Sequence, residues 1–253
     1  MAIHYRTQAI FLKKIDLGEA DQLFVIFTKK YGKLEVLGRA IRKIKSKLKS
    51  GAEIFYLSEV EFIQGKTYKT LTDAIAIEKY LNIRRNLSRL NLVKKIAECV
   101  DRLVFGQEAD LKIWNLLLET IFRQNSEKEK KDQILNYYYF FWSLLAFLGY
   151  RLELYNCALC QQKLSLEPLV FSPKDGGVIC ALCQKSIKLI KVDQKQNFET
   201  SPETVKILRF ILSKPWPTIK KLKIDKEEFS ALREITGSYY RYVLEQISFG
   251  KEN

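Results

Sequence analysis

Cys157, Cys160, Cys180 and Cys183 are the residues best placed to do chemistry, as two C-x2-C pairs separated by nineteen residues. That spacing suits a metal held by four thiolates. Each pair can turn two sulfurs toward one ion at about 2.3 Å, and two pairs complete a closed tetrahedron with no position left for water or substrate. The expected cofactor is therefore zinc, structural, one ion per chain. Two disulfides are the competing assignment. Residues 1–14 alternate polar and apolar, without the apolar core and small-residue cleavage site of an export signal, and structural disulfides are rare in reducing compartments. A cytoplasmic protein is expected. Cys99 sits in a helical pattern with Ile96, Val100 and Leu103 and reads as a small core residue.

The second chemical feature is charge. The 253 residues carry 43 Lys+Arg against 29 Asp+Glu, a formal net charge of +14, with a single His at position 4. A single histidine, at position 4, rules out most of the chemistry that uses a histidine base, a Ser-His-Asp triad or a His-rich metal centre. The charge is concentrated: between Lys29 and Lys49 nine basic residues (29, 30, 33, 39, 42, 43, 45, 47 and 49) face one acid, Glu35. Such a density can neutralise several phosphates and release their counterions, giving salt-dependent and largely sequence-neutral binding to nucleic acid. Lys79 to Lys95, with Arg84, Arg85, Arg89 and Lys94, has no acid between Glu78 and Glu98. Smaller groups are Lys185, Lys188, Lys191 and Lys195, and Lys220, Lys221 and Lys223. Phe24, Phe27, Phe55, Tyr56, Phe62 and Tyr68 are candidate aromatics for base stacking, although alternation places many of them in a core.

The elements that must position these groups change character along the chain. Five strands are expected at 7–15, 22–29, 33–42, 52–63 and 66–77, with tight hairpins at Tyr31-Gly32-Lys33 and Gln64-Gly65 and an exposed basic loop from Ile41 to Gly51. Five strands in about seventy residues favour a barrel of the OB type, with an SH3-like barrel or an open sheet as alternatives. Helical periodicity follows at 79–92, 93–106 and 110–125. Residues 134–148 are nearly all apolar but fall short of the roughly twenty needed to cross a membrane, so a buried central helix is expected. Pro168 to Phe171 reads as a strand and Lys174 to Gly177 as a turn, placing two metal knuckles on adjacent hairpins. Helices at about 202–213 and 226–247 complete the chain. The expectation is an α+β multidomain protein: an OB barrel at 1–78 and a helical domain at 79–253, with a zinc ribbon inserted at about 155–190. Gly65-Lys66-Thr67 resembles the tail of a P-loop, but Val60 stands where the first glycine must be. Glu19 and Asp21 lack a third carboxylate at a convincing spacing. No enzymatic activity, small-molecule substrate or membrane is expected.

In order along the chain, Gly18-Glu19-Ala20-Asp21, Phe27-Thr28 with Gly32-Lys33, Gly38-Arg39-Ala40-Ile41-Arg42-Lys43-Ile44-Lys45-Ser46-Lys47, Phe147-Leu148-Gly149-Tyr150 and Gly176-Gly177 resemble the RecO family of bacterial recombination mediators. The resemblance implies a DNA repair and recombination role: binding single- and double-stranded DNA, annealing complementary strands, and acting with RecR to help RecA displace the single-strand binding protein SSB. It implies contacts with SSB's tail in the helical domain, to which no motif assigns residues. Carried over by position, the DNA-binding face comprises Arg39, Arg42, Lys43, Lys45 and Lys47, to which Lys49, Arg84 and Arg85 are added from their charge and spacing. A nucleoid-associated location follows. Two departures stand out: Gln161 follows Cys160 where the family often has Gly, and Leu48-Lys49-Ser50-Gly51 replaces a more usual apolar-proline end to the basic loop. Other readings are a zinc-ribbon RNA-binding or translation-associated module, because phosphate contacts alone do not separate RNA from DNA, and a nuclease.

Overall fold

The computed structural model describes residues 3–164, 169–189 and 197–249. Two compact units divide the chain, Met1–Phe140 and Phe141–Asn253. In the first, β1 (His4–Leu17), β2 (Asp21–Thr28), β3 (Gly32–Gly38), β4 (Leu57–Ile63) and β5 (Lys69–Glu78) close a barrel in the order β1-β2-β3-β5-β4. Only the β3–β5 pair is parallel, so the barrel has the OB arrangement and the alternatives fall away. Inward positions alternate along each strand, with Ala9 and Phe11, Phe24 and Ile26, and Leu34 and Val36 meeting Val60, Phe62, Leu71 and Ala74 in one core. The outward residues Val25 and Phe27 are buried too. Phe27 lies against Trp114, ring centroids 6.4 Å apart, which explains why β2 reads as a continuous apolar run rather than an alternating one.

Two strand boundaries differ from expectation by more than three residues. β3 ends at Gly38, not residue 42, because Ala40 turns the chain with φ 51. β4 starts at Leu57, not residue 52: Gly51 abuts the backbone of Ala74, where a Cβ would stand 2.1 Å from the carbonyl oxygen, and Phe55 has φ 67. The link between β4 and β5 spans residues 64–68, longer than a tight hairpin.

After the barrel come α1 (Leu81–Arg84), α2 (Leu87–Leu103), α3 (Leu111–Ser126) and α4 (Lys130–Phe147). The first two replace the expected helices at 79–92 and 93–106. Asn86 is the reason: its side chain accepts the Arg89 amide and starts α2 there. Asp110 caps α3 in the same way, accepting the amides of Lys112 and Ile113. Arg89 closes the other end of α3, donating to the carbonyls of Gln124 (2.7 Å), Asn125 (2.8 Å) and Glu127 (2.6 Å). Helix α4 carries the apolar run and buries Leu135, Tyr138, Phe140, Phe141, Trp142, Leu144 and Leu145. No helix among the described residues is long and apolar enough to cross a membrane.

In the second unit, β6 (Leu169–Ser172), β7 (Gly177–Ile179) and β8 (Phe198–Thr200) form a sheet of order β7-β6-β8. Helices α5 (Ala181–Leu189), α6 (Pro202–Ser213), α7 (Trp216–Ile219) and α8 (Lys226–Phe249) accompany it. Trp142 stacks on Tyr239 at 5.6 Å, and Tyr239 meets Phe171 edge-on at 6.0 Å, joining α4, α8 and the sheet in one core. The second cysteine pair leads into α5 rather than a hairpin, and β8, which pairs with β6, had no clear signal in the sequence. Pro168, Lys191 and Lys195, and the side chain of Lys188, lie outside the described residues.

Candidate nucleic-acid interface and metal centre

The basic loop between β3 and β4 is ordered by its own apolar residues. Ile41 and Ala52 are buried in the barrel core and Leu48 packs against it, while Lys47–Ser50 forms one 3-10 turn. This is the path taken by the segment that departs from the family's apolar-proline end. The cations between these anchors face solvent: Arg39, Arg42, Lys43, Lys45, Lys47 and Lys49 are all exposed. Among the described residues Arg42 is the one engaged, with Nη1 3.2 Å from the Gly18 carbonyl and 3.6 Å from Asp16. Ile44, 97% exposed, stands among them.

The loop is held by the turn that precedes β2. Gly18 has φ 59, the Asp21 carboxylate accepts the Ala40 amide at 2.7 Å, and the Ala20 carbonyl accepts the Arg42 amide at 3.0 Å. The two sequence segments Gly18–Asp21 and Gly38–Lys47 thus touch, and Asp21 serves as a loop tether.

The second basic stretch divides by role. Arg84 donates to the Ile54 carbonyl at 2.6 Å, lies 3.9 Å from Glu53 and stacks over Tyr56 at 4.6 Å. It fastens α1 to the segment before β4. Arg85 is exposed and has no side-chain partner among the described residues. Arg89 belongs to the α3 cap. In the second unit Lys185, Lys221 and Lys223 are exposed. Of the candidate stacking residues, Phe24, Phe27, Phe55 and Phe62 are buried, Tyr56 lies under Arg84, and Tyr68 is partly exposed. Tyr5 and Tyr31, also partly exposed, were not singled out by the sequence, because the periodicity that marks core positions says nothing about rings at a barrel's end.

The four cysteines converge. Their sulfurs all lie within 4.8 Å of one another, and Cys160 and Cys180 Sγ are 3.9 Å apart. A tetrahedral ion with sulfur at about 2.3 Å has an edge of about 3.8 Å, so the four thiols fit a metal of that kind. The first knuckle closes with the Gln161 amide donating to the Cys157 carbonyl at 2.9 Å. Gln161 has φ 59, the left-handed conformation that glycine adopts freely, so the glutamine keeps the knuckle's geometry despite its type. Burial opposes ionisation of Cys157, but backbone amides of Cys160, Cys180 and Leu159 outweigh it and bring the thiol down to about 6. The Cys180 amide is 3.4 Å from that sulfur. Gly177 is required where it stands, since a Cβ would lie 2.3 Å from the Glu153 carbonyl oxygen. Cys99 is buried, and desolvation first, then Glu98, pushes its thiol up to about 12, as expected of an unreactive core residue.

A family model described as Recombination protein O N terminal matches residues 1–80, and one described as Recombination protein O C terminal matches residues 84–252. The chain belongs to the RecO family. Curated relatives named DNA repair protein RecO include one from Dehalococcoides mccartyi (strain ATCC BAA-2266 / KCTC 15142 / 195), 33% identical over 96% of this chain and 91% of that protein. Another, from Roseiflexus sp. (strain RS-1), is 30% identical over 96% of this chain and 82% of its own length. A third, from Alkaliphilus metalliredigens (strain QYMF), is 27% identical over 96% and 95%. Family membership supports a role in DNA repair.

Proposed function

We propose that the chain is a non-enzymatic recombination mediator that binds single- and double-stranded DNA and anneals complementary strands. With RecR it helps load RecA onto strands covered by SSB. Five exposed cations without an ion pair among the described residues, Arg39, Lys43, Lys45, Lys47 and Lys49, on a loop whose backbone is fixed by buried Ile41 and Ala52 and partly buried Leu48, are the observation that supports this most. A preordered loop can neutralise phosphates without a large ordering cost, and lowering the repulsion between two strands removes the main physical barrier to annealing. Arg42 and Arg85 extend this face, and Arg84 contributes charge while anchoring α1. The working division is an OB domain at 1–78 and a helical domain at 79–253 carrying the ribbon, with one structural zinc on Cys157, Cys160, Cys180 and Cys183. A cytoplasmic, nucleoid-associated location accords with this role.

The test is annealing of fluorescent complementary oligonucleotides without ATP, with and without SSB. Faster annealing that is steeply weakened by salt is expected. A rate equal to the spontaneous one refutes the reading, and preference for structured RNA over single-stranded DNA at equal salt would favour an RNA-binding module instead.

A further inference from the structure

The basic stretch that is continuous in sequence is split in space by the barrel. β1, β3 and β5 run one way and β2 and β4 the other. The turn after β1 and the loop after β3 therefore leave from one end, and the β2–β3 hairpin, the β4–β5 link and the start of β1 from the opposite end. Arg39 to Lys49 belong to the first end, and Lys29 and Lys30, at the hairpin tip, to the second. Along β2 the seven steps from Asp21 to Thr28 separate them by about 23 Å at strand rise. That exceeds a Debye length of about 8–10 Å, so the ends act as independent electrostatic surfaces.

The hairpin end has its own chemistry. Tyr5 stacks on Phe62 at 5.5 Å, and Tyr31 meets both rings edge-on, at 5.7 Å each. The two tyrosines pack on the barrel core yet remain partly exposed. Thr28 locks the hairpin under them, its hydroxyl donating to the Gly32 carbonyl at 2.9 Å and accepting the Tyr31 amide at 2.9 Å. Gly32 has φ 60 and sits where a Cβ would stand 2.4 Å from the Glu108 carbonyl oxygen, so the 104–110 segment buttresses the hairpin. At the same end of the barrel, Lys29, Lys30 and Lys66 are exposed and have no side-chain partner among the described residues. Arg6 is balanced by Glu59 at 3.1 Å. Lys29 and Lys30 line, with Arg6, Glu59, Ala109 and Leu111, a cleft of about 520 Å³.

We propose that this hairpin end is a second single-strand binding site, in which a base packs on the exposed parts of Tyr5 and Tyr31 and flanking phosphates meet Lys29, Lys30 and Lys66. It rests on the DNA-binding reading and deepens it. Rigid aromatics rimmed by cations are what sequence-neutral single-strand binding requires. Two independent sites on one barrel would let a single molecule hold two strands at once.

The test uses two differently labelled, non-complementary oligonucleotides, too short to reach from one end of the barrel to the other, with energy transfer reporting their joint capture. The intact chain should hold both. Lys29→Ala with Lys30→Ala and Lys66→Ala should abolish joint capture while one strand still binds through the loop. Lys43→Ala with Lys45→Ala and Lys47→Ala should leave a single strand bound at the hairpin end. A bromodeoxyuridine strand should photocrosslink to Tyr5 or Tyr31 as well as to the loop. Capture of only one strand by the intact chain, or joint capture that survives loss of the three hairpin-end lysines, overturns the proposal while DNA binding stands. No DNA bound at all overturns both.

Discussion

Replacing Lys43, Lys45 and Lys47 together by Ala isolates the loop's electrostatic contribution. All three side chains are exposed and none has a partner among the described residues, so the triple variant should fold as well as the intact chain, each change lying within about 0.5 kcal/mol. Arg42 is left in place because it also holds the Gly18 turn. If each lysine neutralises one phosphate, the slope of log affinity against log salt on single strands should flatten by about 0.7 per contact, or about 2 in all. Across a fourfold rise in salt, from about 50 to about 200 mM, the intact chain should therefore lose about twentyfold more affinity than the variant. Fluorescence anisotropy with a labelled single strand at several salt concentrations measures both slopes, and thermal unfolding checks the fold. An unchanged slope in a folded variant would show that the loop does not meet phosphates, whatever its charge.

Cys157→Ser should unfold the second unit in preference to the barrel, because metal binding at a four-thiolate site is folding energy; proteolysis resolved by fragment, together with elemental analysis showing about one zinc per intact chain, checks this. Gln161→Gly should raise stability by about 1 kcal/mol by relieving a left-handed conformation, read as a higher denaturant midpoint. Arg89→Ala should lower the stability of the first unit by about 2 kcal/mol through loss of charge-assisted bonds to the end of α3, and should leave the DNA salt slope unchanged. At Glu53 burial opposes ionisation, but Lys14 at 2.8 Å, the Ile54 amide and Arg84 outweigh it and hold the carboxyl below its usual range. Its folded pKa is lower than its unfolded one, so its contribution is complete above the unfolded value and is lost as pH falls through the folded value. Glu53→Gln should flatten that acid limb of the stability curve.

Local chemistry was legible in the residues alone. The C-x2-C spacing marked all four cysteines that converge, because two knuckles turned toward one point leave few other geometries. Period-two alternation marked five strands, and the charge run marked the loop, because exposed cations and buried aliphatics differ so strongly in hydration. Helix α6 could be read from Ser201 and Pro202 at its start, and Asn86 carried the corresponding signal for α2, although the apolar periodicity running through it suggested otherwise.

Pairing at a distance was decided only by the tertiary structure. Nothing local distinguishes Arg89 from Arg85, yet one caps a helix and the other faces solvent, because α3 ends beside only one of them. β8 has too few residues to announce itself and exists because β6 offers an open edge. Asp21 looked like half of an acid pair and serves as the tether of a loop nineteen residues away. Above all, one basic run in the sequence becomes two surfaces at opposite ends of a barrel, since strand reversal separates neighbours along the chain by the full length of a strand. The amino-acid types determined that the chain would carry two paired-cysteine knuckles and a dense run of cations; closure of the barrel decided where those cations stand and, among the described residues, which of them pair with an acid.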